Sequence, residues 1–205
     1  MKQFLHVGCG PKDKRQTTRG FNSDAWREIR LDIDETVSPD LVGTMTDMGS
    51  VPSNSMDAIF SAHNIEHLYA HEVPLALAEF LRVLKPEGFL VVTCPDLQSV
   101  CALVAEDKLS DPAFMTEGGP IAPIDILYGY RPALTQGNIH MAHRYGFTAK
   151  TLVAHLQTAG FMAIASIRRA YPYFDLWAIA SKPHRSEQLL RILAQQHFPK
   201  ASKNS

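Results

Sequence analysis

The sequence predicts an α/β fold with a mostly parallel sheet, helices on both of its faces and one antiparallel strand near its end. Short apolar runs typical of strands alternate with segments of helical periodicity, which is the pattern of a parallel sheet covered by helices. The last two apolar runs, at 161–167 and 176–180, are joined by a connection without a helix. Such a connection suits an antiparallel pair and is too short for a parallel crossover.

The strands are predicted from apolar runs that stop at turn-forming residues. In chain order they lie at residues 2–7, 29–33, 41–48, 56–61, 89–93, 161–167 and 176–180. The helices are predicted from apolar residues at helical spacing, and they lie at 73–84, 96–106, 148–159 and 186–197. Asp96 and Thr148 suit N-caps and Gly160 suits a C-cap. The Lys-Pro-Glu-Gly sequence at 85–88 is expected to end the first of these helices.

Length and composition suit one domain, residues 1–205, with 45% apolar and 20% charged residues. The formal net charge of −1 gives no general attraction for nucleic acid or anionic lipid. Three cysteines without a CxxC pair indicate a reduced protein, and no apolar stretch is long enough to cross a bilayer. We therefore expect a cytoplasmic protein with no membrane partner and no clear nucleic-acid partner, and these features leave its oligomeric state open.

A glycine turn follows the first strand, in the sequence Val7-Gly8-Cys9-Gly10. Two glycines at the end of a strand let the backbone turn sharply and approach a ligand closely. A plain turn without a ligand is the alternative, since Gly-x-Gly alone is a weak signal. The third glycine of the dinucleotide fingerprint is missing, and the Pro11 that follows leaves no clean first helix, which argues against NAD.

Acidic residues follow the second and third strands where an adenosine ligand would need them. Asp32 lies 22 residues after Gly10, and an acid about 20 residues beyond such a turn can accept both ribose hydroxyls. We prefer Asp32 to the competing Asp34 because Asp32 directly follows the apolar run. Asp47 can accept a hydrogen bond from the adenine amino group, while Met48 packs on the ring. Each aspartate can instead be an ordinary capping or turn residue.

The fourth strand is followed by the sequence HNIEH at residues 63–67, and three interpretations of this corner are open. Its side chains can simply hold loops together. His67 or His63 can be a general base near a substrate. The corner can also hold a metal ion together with His140 or His143, which requires converging geometry that spacing alone does not show. We favour catalysis without a structural metal, because ligands bind at this edge of open α/β sheets.

A long segment, residues 107–147, interrupts the alternation of strands and helices. Loops longer than about 12–15 residues in compact domains are usually functional or disordered. Residues 128–145 are too rich in tyrosine for simple disorder, with Tyr145 among the tyrosines, and they also contain His143. We interpret 107–147 as a lid-like insertion, with a packed surface excursion as the alternative, and residues 200–205 as a loose tail.

Together these motifs resemble the class I S-adenosylmethionine-dependent methyltransferases, and more closely their small type 11 group. "LHVGCG" resembles the first motif, "RLDID" the second and "TMTDM" the adenine-side acid. "MDAIFSAHNIEHL" is similar to the fourth-strand motif, and "HRYGFTAKTLVAHLQTAGF" to the late helix and sixth strand. "EFLRVLKPEGFLVVTCPD" resembles the helix, turn and strand between them, and its "RVLKPEG" piece is the most specific.

The resemblance implies a Rossmann-like, seven-stranded, mostly parallel sheet with the last strand antiparallel, and S-adenosyl-L-methionine as the cofactor. The expected cofactor contacts are Val7, Gly8, Cys9, Gly10, Asp32, Ile33, Asp47, Met48, Ser61, Ala62 and His63. The expected catalytic residues are His67, His63 and His143. Some RNA-end and quinone-pathway methyltransferases have a similar Glu-x-x-Glu-His pattern that binds a divalent ion, and His63 stands where their first Glu would be.

The predicted function is methyl transfer from S-adenosylmethionine to a small molecule or to a sugar or lipid precursor. The protein would align the acceptor, the methyl carbon and the sulfur, and exclude water. A methyltransferase-fold protein that binds the cofactor without catalysis is one alternative. An RNA-end methyltransferase is another, which the neutral charge disfavours. The missing third glycine and the "RVLKPEG" segment disfavour a nucleotide-dependent oxidoreductase.

Overall fold

The computed structural model describes residues 1–116 and 118–200, and its centre is one seven-stranded sheet. The strands are β1 (Lys2–Val7), β2 (Trp26–Asp32), β3 (Leu41–Val42), β4 (Met56–Ala62), β5 (Leu84–Pro95), β6 (Phe114–Thr116), β7 (Gly119–Ile121), β8 (Ala163–Arg169) and β9 (Asp175–Ser181). The helices are α1 (Val73–Val83), α2 (Leu97–Ala105), α3 (Pro123–Tyr128), α4 (Arg131–Thr135), α5 (Ala149–Ala159) and α6 (Glu187–His197). The sheet has the order β3–β2–β1–β4–β5–β9–β8, and β6 and β7 form a separate hairpin.

Strand β9 is the antiparallel strand, and it lies between β5 and β8. Only residues 170–174 join β8 to β9, so the chain has no room for a crossover and must return beside the strand it has just left. All the other pairs in this sheet are parallel. The predicted Rossmann-like sheet with one antiparallel strand is confirmed.

The largest differences from the predicted strand boundaries lie at β5 and β3. Strand β5 begins at Leu84, which pairs with β4 before the chain leaves the ladder through residues 85–88 and re-enters it at Phe89. The Lys-Pro-Glu-Gly sequence therefore makes a bulge within the strand instead of separating the helix from it. Strand β3 stops at Val42, and the residues up to 48 form a turn where a longer strand was expected.

The connection from β1 to β2, which is described throughout, contains one 3₁₀ turn at Lys14–Gln16 and no α-helix. Helix α6 covers the face of the sheet on which Phe21 of this connection packs. Its side chains pack on an aromatic cluster made of Phe4, Phe21, Trp26, Phe60 and Phe89. Gly20 lies directly against the ring of His197, because a Cβ at Gly20 would come within 2.5 Å of the imidazole. The other face, under α1 and α5, holds the larger apolar core.

The segment 107–147 has its own short elements, namely the β6–β7 hairpin, α3 and α4. It is fixed internally by Asp125, which is buried and accepts a hydrogen bond from Arg131 Nε at 2.6 Å. Phe147, which is fully buried, ties its end to the main core. Residues 201–205 of the expected tail lie outside the described residues. None of the helices in the described ranges has the length and apolar character that a membrane span requires.

Candidate functional site

The glycine turn lies against the corner that follows β4. Gly8 and Gly10 have left-handed φ angles of +62° and +53°, which glycine adopts without strain. A side chain at Gly8 would collide with Asn64, since its Cβ would lie 2.1 Å from Asn64 Oδ1. Asn64 Nδ2 also donates to Val7 O at 2.9 Å, so this asparagine holds the turn in place. A Cβ at Gly10 would meet nothing within 4 Å, which leaves room for a ligand.

Asp32 ends β2 with its carboxylate against the glycine turn. Its Oδ2 accepts from Gly10 N at 2.7 Å and its Oδ1 from Asp34 N at 3.0 Å. Asp34 instead caps a 3₁₀ turn by accepting from Thr36 N at 2.9 Å, and the hydrogen bonds from Thr36 lower the pKa of Asp34. Ile33, between the two acids, is 51% exposed. Asp32 thus lies where the ribose-binding acid was expected, and its role stays a prediction.

Three further expected contacts lie around this turn. Met48 is fully buried in the core, so its side chain presents no exposed surface to an adenine ring, and its role as a cofactor contact stays a prediction. Asp47 is exposed and accepts from Gly49 N at 3.2 Å, as a turn residue does, and its role towards adenine stays a prediction. Cys9 is buried, and burial raises the pKa of its thiol to about 11, so the thiol stays protonated near neutral pH.

The end of β4 lies beside the glycine turn because β1 and β4 are paired, with Val7 opposite Ser61. Ser61 is buried and Ala62 is half-buried. His63 follows with a φ of +54°, an uncommon conformation for a residue with a side chain, and its N–H donates to Thr93 O at 2.9 Å. Such backbone strain is frequent at ligand-binding edges. The structure therefore brings the predicted contacts on β1 and β4 to one edge of the sheet.

Beyond β4, Glu66, His67 and His143 come together from two distant parts of the chain. One potential ligand atom of each lies within 4.8 Å of those of the other two. His63 stands beside this cluster, with its Nδ1 3.5 Å from Glu66 Oε1 and its side chain half exposed. Of the two histidines considered from the sequence for this corner, His143 joins the cluster and His140 does not.

Glu66 is a buried carboxylate without a hydrogen-bond donor. It is 1% exposed, and neither carboxylate oxygen accepts a hydrogen bond from any residue that the structure describes. Burial acts to raise the pKa of Glu66, but the imidazoles of His63, His67 and His143 outweigh it and lower the pKa. Burial also lowers the pKa of His143. The cluster therefore holds an ionised carboxylate in a largely dry environment.

Both clustered imidazoles are held by main-chain carbonyls. His67 Nδ1 donates to Ala142 O at 3.1 Å, and His143 Nδ1 donates to Ile126 O at 2.7 Å. A carbonyl oxygen can only accept, so each neutral ring carries its proton on Nδ1 and keeps a free lone pair on Nε2. The main-chain N–H groups of residues 144 and 145 both donate to Glu66 O, at 2.8 and 3.1 Å. These bonds fix the end of the 107–147 segment to the corner after β4.

A cavity of about 80 Å³ opens beside Glu66 and His143. Most of its wall is apolar and includes Pro95, Leu97, Val100, Leu127 and Phe147, with Tyr145 among them. The cavity has the apolar wall and few polar groups of a ligand site, but its volume is below the roughly 300–1,000 Å³ of most such sites, so it suits only the reacting end of a ligand. A larger groove of about 800 Å³ lies near Trp26 and Leu193, at the opposite ends of the strands and away from these polar groups.

Two residues that support this edge, Asn64 and Asp96, were not predicted to do so from the sequence. Asn64 was hidden inside the histidine and glutamate pattern, and its only signal was its place directly after β4. Asp96 was identified only as a helix cap. It is fully buried at the end of β5, where Ser99 and Arg168 both hydrogen-bond to its carboxylate. Arg168, the partner of Asp96 on β8, lies 72 residues further along the chain, too distant for any local pattern to reveal the pair.

Comparison with known proteins supports the family expected from the motifs. Residues 5–92 match the sequence profile of the type 11 Methyltransferase domain. No curated protein matches the sequence significantly. Among solved structures, a possible histamine N-methyltransferase of the S-adenosylmethionine-dependent class from Thermotoga maritima is 15% identical, with a TM-score of 0.58 over 89% of this chain and 83% of its own.

Two other solved structures are similar to the same extent. A S-adenosylmethionine-dependent methyltransferase from Methanosarcina mazei is 15% identical, with a TM-score of 0.58 over 89% of this chain and 93% of its own. The 1,6-didemethyltoxoflavin-N1-methyltransferase of Burkholderia thailandensis, solved with 1,6-didemethyltoxoflavin and S-adenosylhomocysteine, is 15% identical, with a TM-score of 0.57 over 89% of this chain and 71% of its own.

At these identities the solved structures show the fold. The profile match covers residues 5–92, and this segment contains the glycine turn, Asp32 and the corner after β4. The chain therefore has the fold of these methyltransferases, and its residues 5–92 are similar to the type 11 methyltransferase domain.

Proposed function

We propose that this protein transfers the methyl group of S-adenosyl-L-methionine to a small-molecule acceptor bound in the cavity beside Glu66 and His143. The cavity of about 80 Å³ admits the reacting group of an acceptor, and sugar or lipid precursors with an apolar part are the acceptor class that we propose. The observation that carries the proposal is the position of the apolar cavity, which opens at the same edge of the sheet as the glycine turn. Ligands of open α/β sheets bind at this edge.

The residues at this edge fit the cofactor. Gly10 leaves open space beside the turn, and the Asp32 carboxylate next to it has lone pairs left for ribose hydroxyls. Ile33 offers exposed apolar surface beside Asp32 for one face of the adenine. The bound cofactor supplies an electrophilic methyl group, so the protein's main task is to align the acceptor and exclude water.

The predicted catalytic residues lie around Glu66, with His143 in the cavity wall, and His63 is the residue that we propose takes a proton. Its half-exposed ring faces the Glu66 carboxylate, which can orient the imidazole and stabilise its protonated form. A hydroxyl acceptor would give its proton to His63 as its oxygen bonds to the methyl carbon and the carbon–sulfur bond breaks. His67 and His143 would line the acceptor side.

The segment 107–147 acts in this proposal as a lid over the acceptor. Its support is the pair of main-chain hydrogen bonds to Glu66 O, together with Tyr145 and His143 in the cavity wall. A lid at this place excludes water from the reacting atoms without contacting the adenosine end of the cofactor.

Thermal unfolding and calorimetry with S-adenosylhomocysteine and with NAD test the cofactor assignment. S-adenosylhomocysteine at a hundred times its Kd should stabilise the fold by about 2.7 kcal/mol, and NAD should not. An unchanged Tm at saturating S-adenosylhomocysteine would refute the proposal. Transfer of an isotopically labelled methyl group to a panel of small hydroxylated and aminated acceptors then tests catalysis. Tight S-adenosylhomocysteine binding without transfer to any acceptor would instead support a cofactor-binding protein without catalysis.

A further inference from the structure

In place of the metal-free corner expected from the sequence, we propose that Glu66, His67 and His143 bind a divalent transition-metal ion. The three side chains converge at the corner after β4, with one potential ligand atom of each within 4.8 Å of the others. An ion bound at about 2.0–2.2 Å from each of two ligands holds those ligand atoms about 3–4 Å apart. Side-chain adjustments of about 1 Å therefore suffice to place an ion between them.

The carboxylate of Glu66 supplies the strongest argument. It is 1% exposed, and no described residue donates a hydrogen bond to either oxygen. A buried charge without hydrogen bonds is costly, and proteins normally compensate it with a cation or with hydrogen-bond donors. A bound cation between this carboxylate and the two imidazoles supplies that compensation.

The two histidines are prepared as ligands. Each donates from Nδ1 to a main-chain carbonyl, that of residue 142 for His67 and that of residue 126 for His143. Metal-binding histidines almost always make this second hydrogen bond, which fixes the ring and leaves the other nitrogen free for the metal. The main-chain N–H groups after His143 donate to Glu66 O, so both segments that provide ligands are already joined.

The ligand set indicates which cations fit. Two imidazoles and one carboxylate favour zinc, cobalt, nickel, iron or manganese, whereas magnesium and calcium prefer oxygen ligands. Three protein ligands leave coordination positions open, and the site borders the cavity beside Glu66 and His143. If the proposed function holds, these open positions are available to an oxygen atom of the acceptor.

The test is metal analysis of the protein purified without chelator, followed by titration of the chelator-treated protein with Zn²⁺, Co²⁺ and Mg²⁺. We expect about one transition-metal ion per chain, a visible absorption spectrum on adding Co²⁺, and a rise in Tm with Zn²⁺ but not with Mg²⁺. His143→Ala should weaken binding by more than about a hundredfold, since even the loss of a supporting residue costs about 10–100-fold. His140→Ala, in the same segment but outside the cluster, is the matched control.

Wild-type protein that holds no stoichiometric metal, and that shows neither a Co²⁺ spectrum nor a Zn²⁺-dependent Tm, would overturn the proposal. Binding that survives unchanged in both His143→Ala and Glu66→Gln would overturn it too, because the ion would then lie elsewhere. Absence of the Co²⁺ spectrum in the wild type overturns the proposal even where a variant fails to fold. Binding of S-adenosylhomocysteine is measured in parallel, so that failure of the metal site is distinguished from failure of the proposed function.

Discussion

The stability of this protein should depend on pH through His197, which closes the aromatic cluster under α6. The side chain is 2% exposed, its ring centroid lies 4.3 Å from that of Phe21, and its Nδ1 lies 2.7 Å from Thr18 Oγ1. Burial lowers the pKa of His197 from 6.5 to about 4. In the unfolded chain the imidazole keeps its ordinary pKa, so below pH 6.5 the unfolded state binds a proton that the folded state does not.

The sign and size of the effect follow from this difference. The stability contribution of a neutral His197 is complete above pH 6.5 and is lost as the pH falls towards 4. A pKa unit corresponds to about 1.36 kcal/mol, so the total loss of unfolding free energy is about 3 kcal/mol. Below pH 4 both states are protonated at this residue and no further loss arises from it.

Urea unfolding at several pH values between 7.5 and 4.5 measures this dependence. His197→Phe keeps an aromatic ring in the cluster but cannot titrate, so its unfolding free energy should fall less steeply than that of the wild type. His184→Gln, which changes an exposed histidine, should follow the wild type. Other titrating groups contribute equally to all three proteins. Parallel curves for wild type and His197→Phe over this range would refute the reasoning.

Two further predictions concern the site. Asp32→Asn should weaken S-adenosylhomocysteine binding by about 1.5–3 kcal/mol in calorimetry, because a charge-assisted hydrogen bond to a ribose hydroxyl is lost, whereas Asp34→Asn should change it little. Equal losses in both variants would mean that the ribose-binding acid is misassigned. His143→Ala and Tyr145→Ala should lower kcat/KM for an identified acceptor and leave S-adenosylhomocysteine affinity unchanged, since both side chains border the cavity. A tenfold loss of cofactor affinity in both would contradict the lid.

The sequence predicts well those features that short stretches of chain decide. Thr148 caps α5 by accepting from Thr151 N, and Gly160 ends the same helix in a left-handed conformation, both as the capping pattern requires. The antiparallel β9 follows from a connection too short for any other arrangement. The left-handed angles of Gly8 and Gly10 follow from a sharp turn after a buried strand. In each case the cause lies within a few residues of the effect.

The features that the sequence did not predict depend on residues far apart in the chain. Nothing near Met48 reveals that the turn after β3 folds its side chain into the core. The spacing of the histidines cannot select His143 over His140, because that choice depends on how residues 107–147 return to the corner after β4. The packing of α6 on one face of the sheet likewise depends on Gly20, because the absence of a side chain there leaves room for the ring of His197.

The position of α6 also has a consequence for the order in which the chain folds during synthesis. The apolar side of β1, β4 and β5 that faces α6 remains uncovered until the residues up to Phe198 have left the ribosome. The opposite side is closed earlier, by α1 and then α5. The nascent chain should therefore pass through a stage in which one side of the sheet is packed and five aromatic rings on the other side are open to chaperones. Ribosome-bound chains ending before and after α6 should differ sharply in protease resistance.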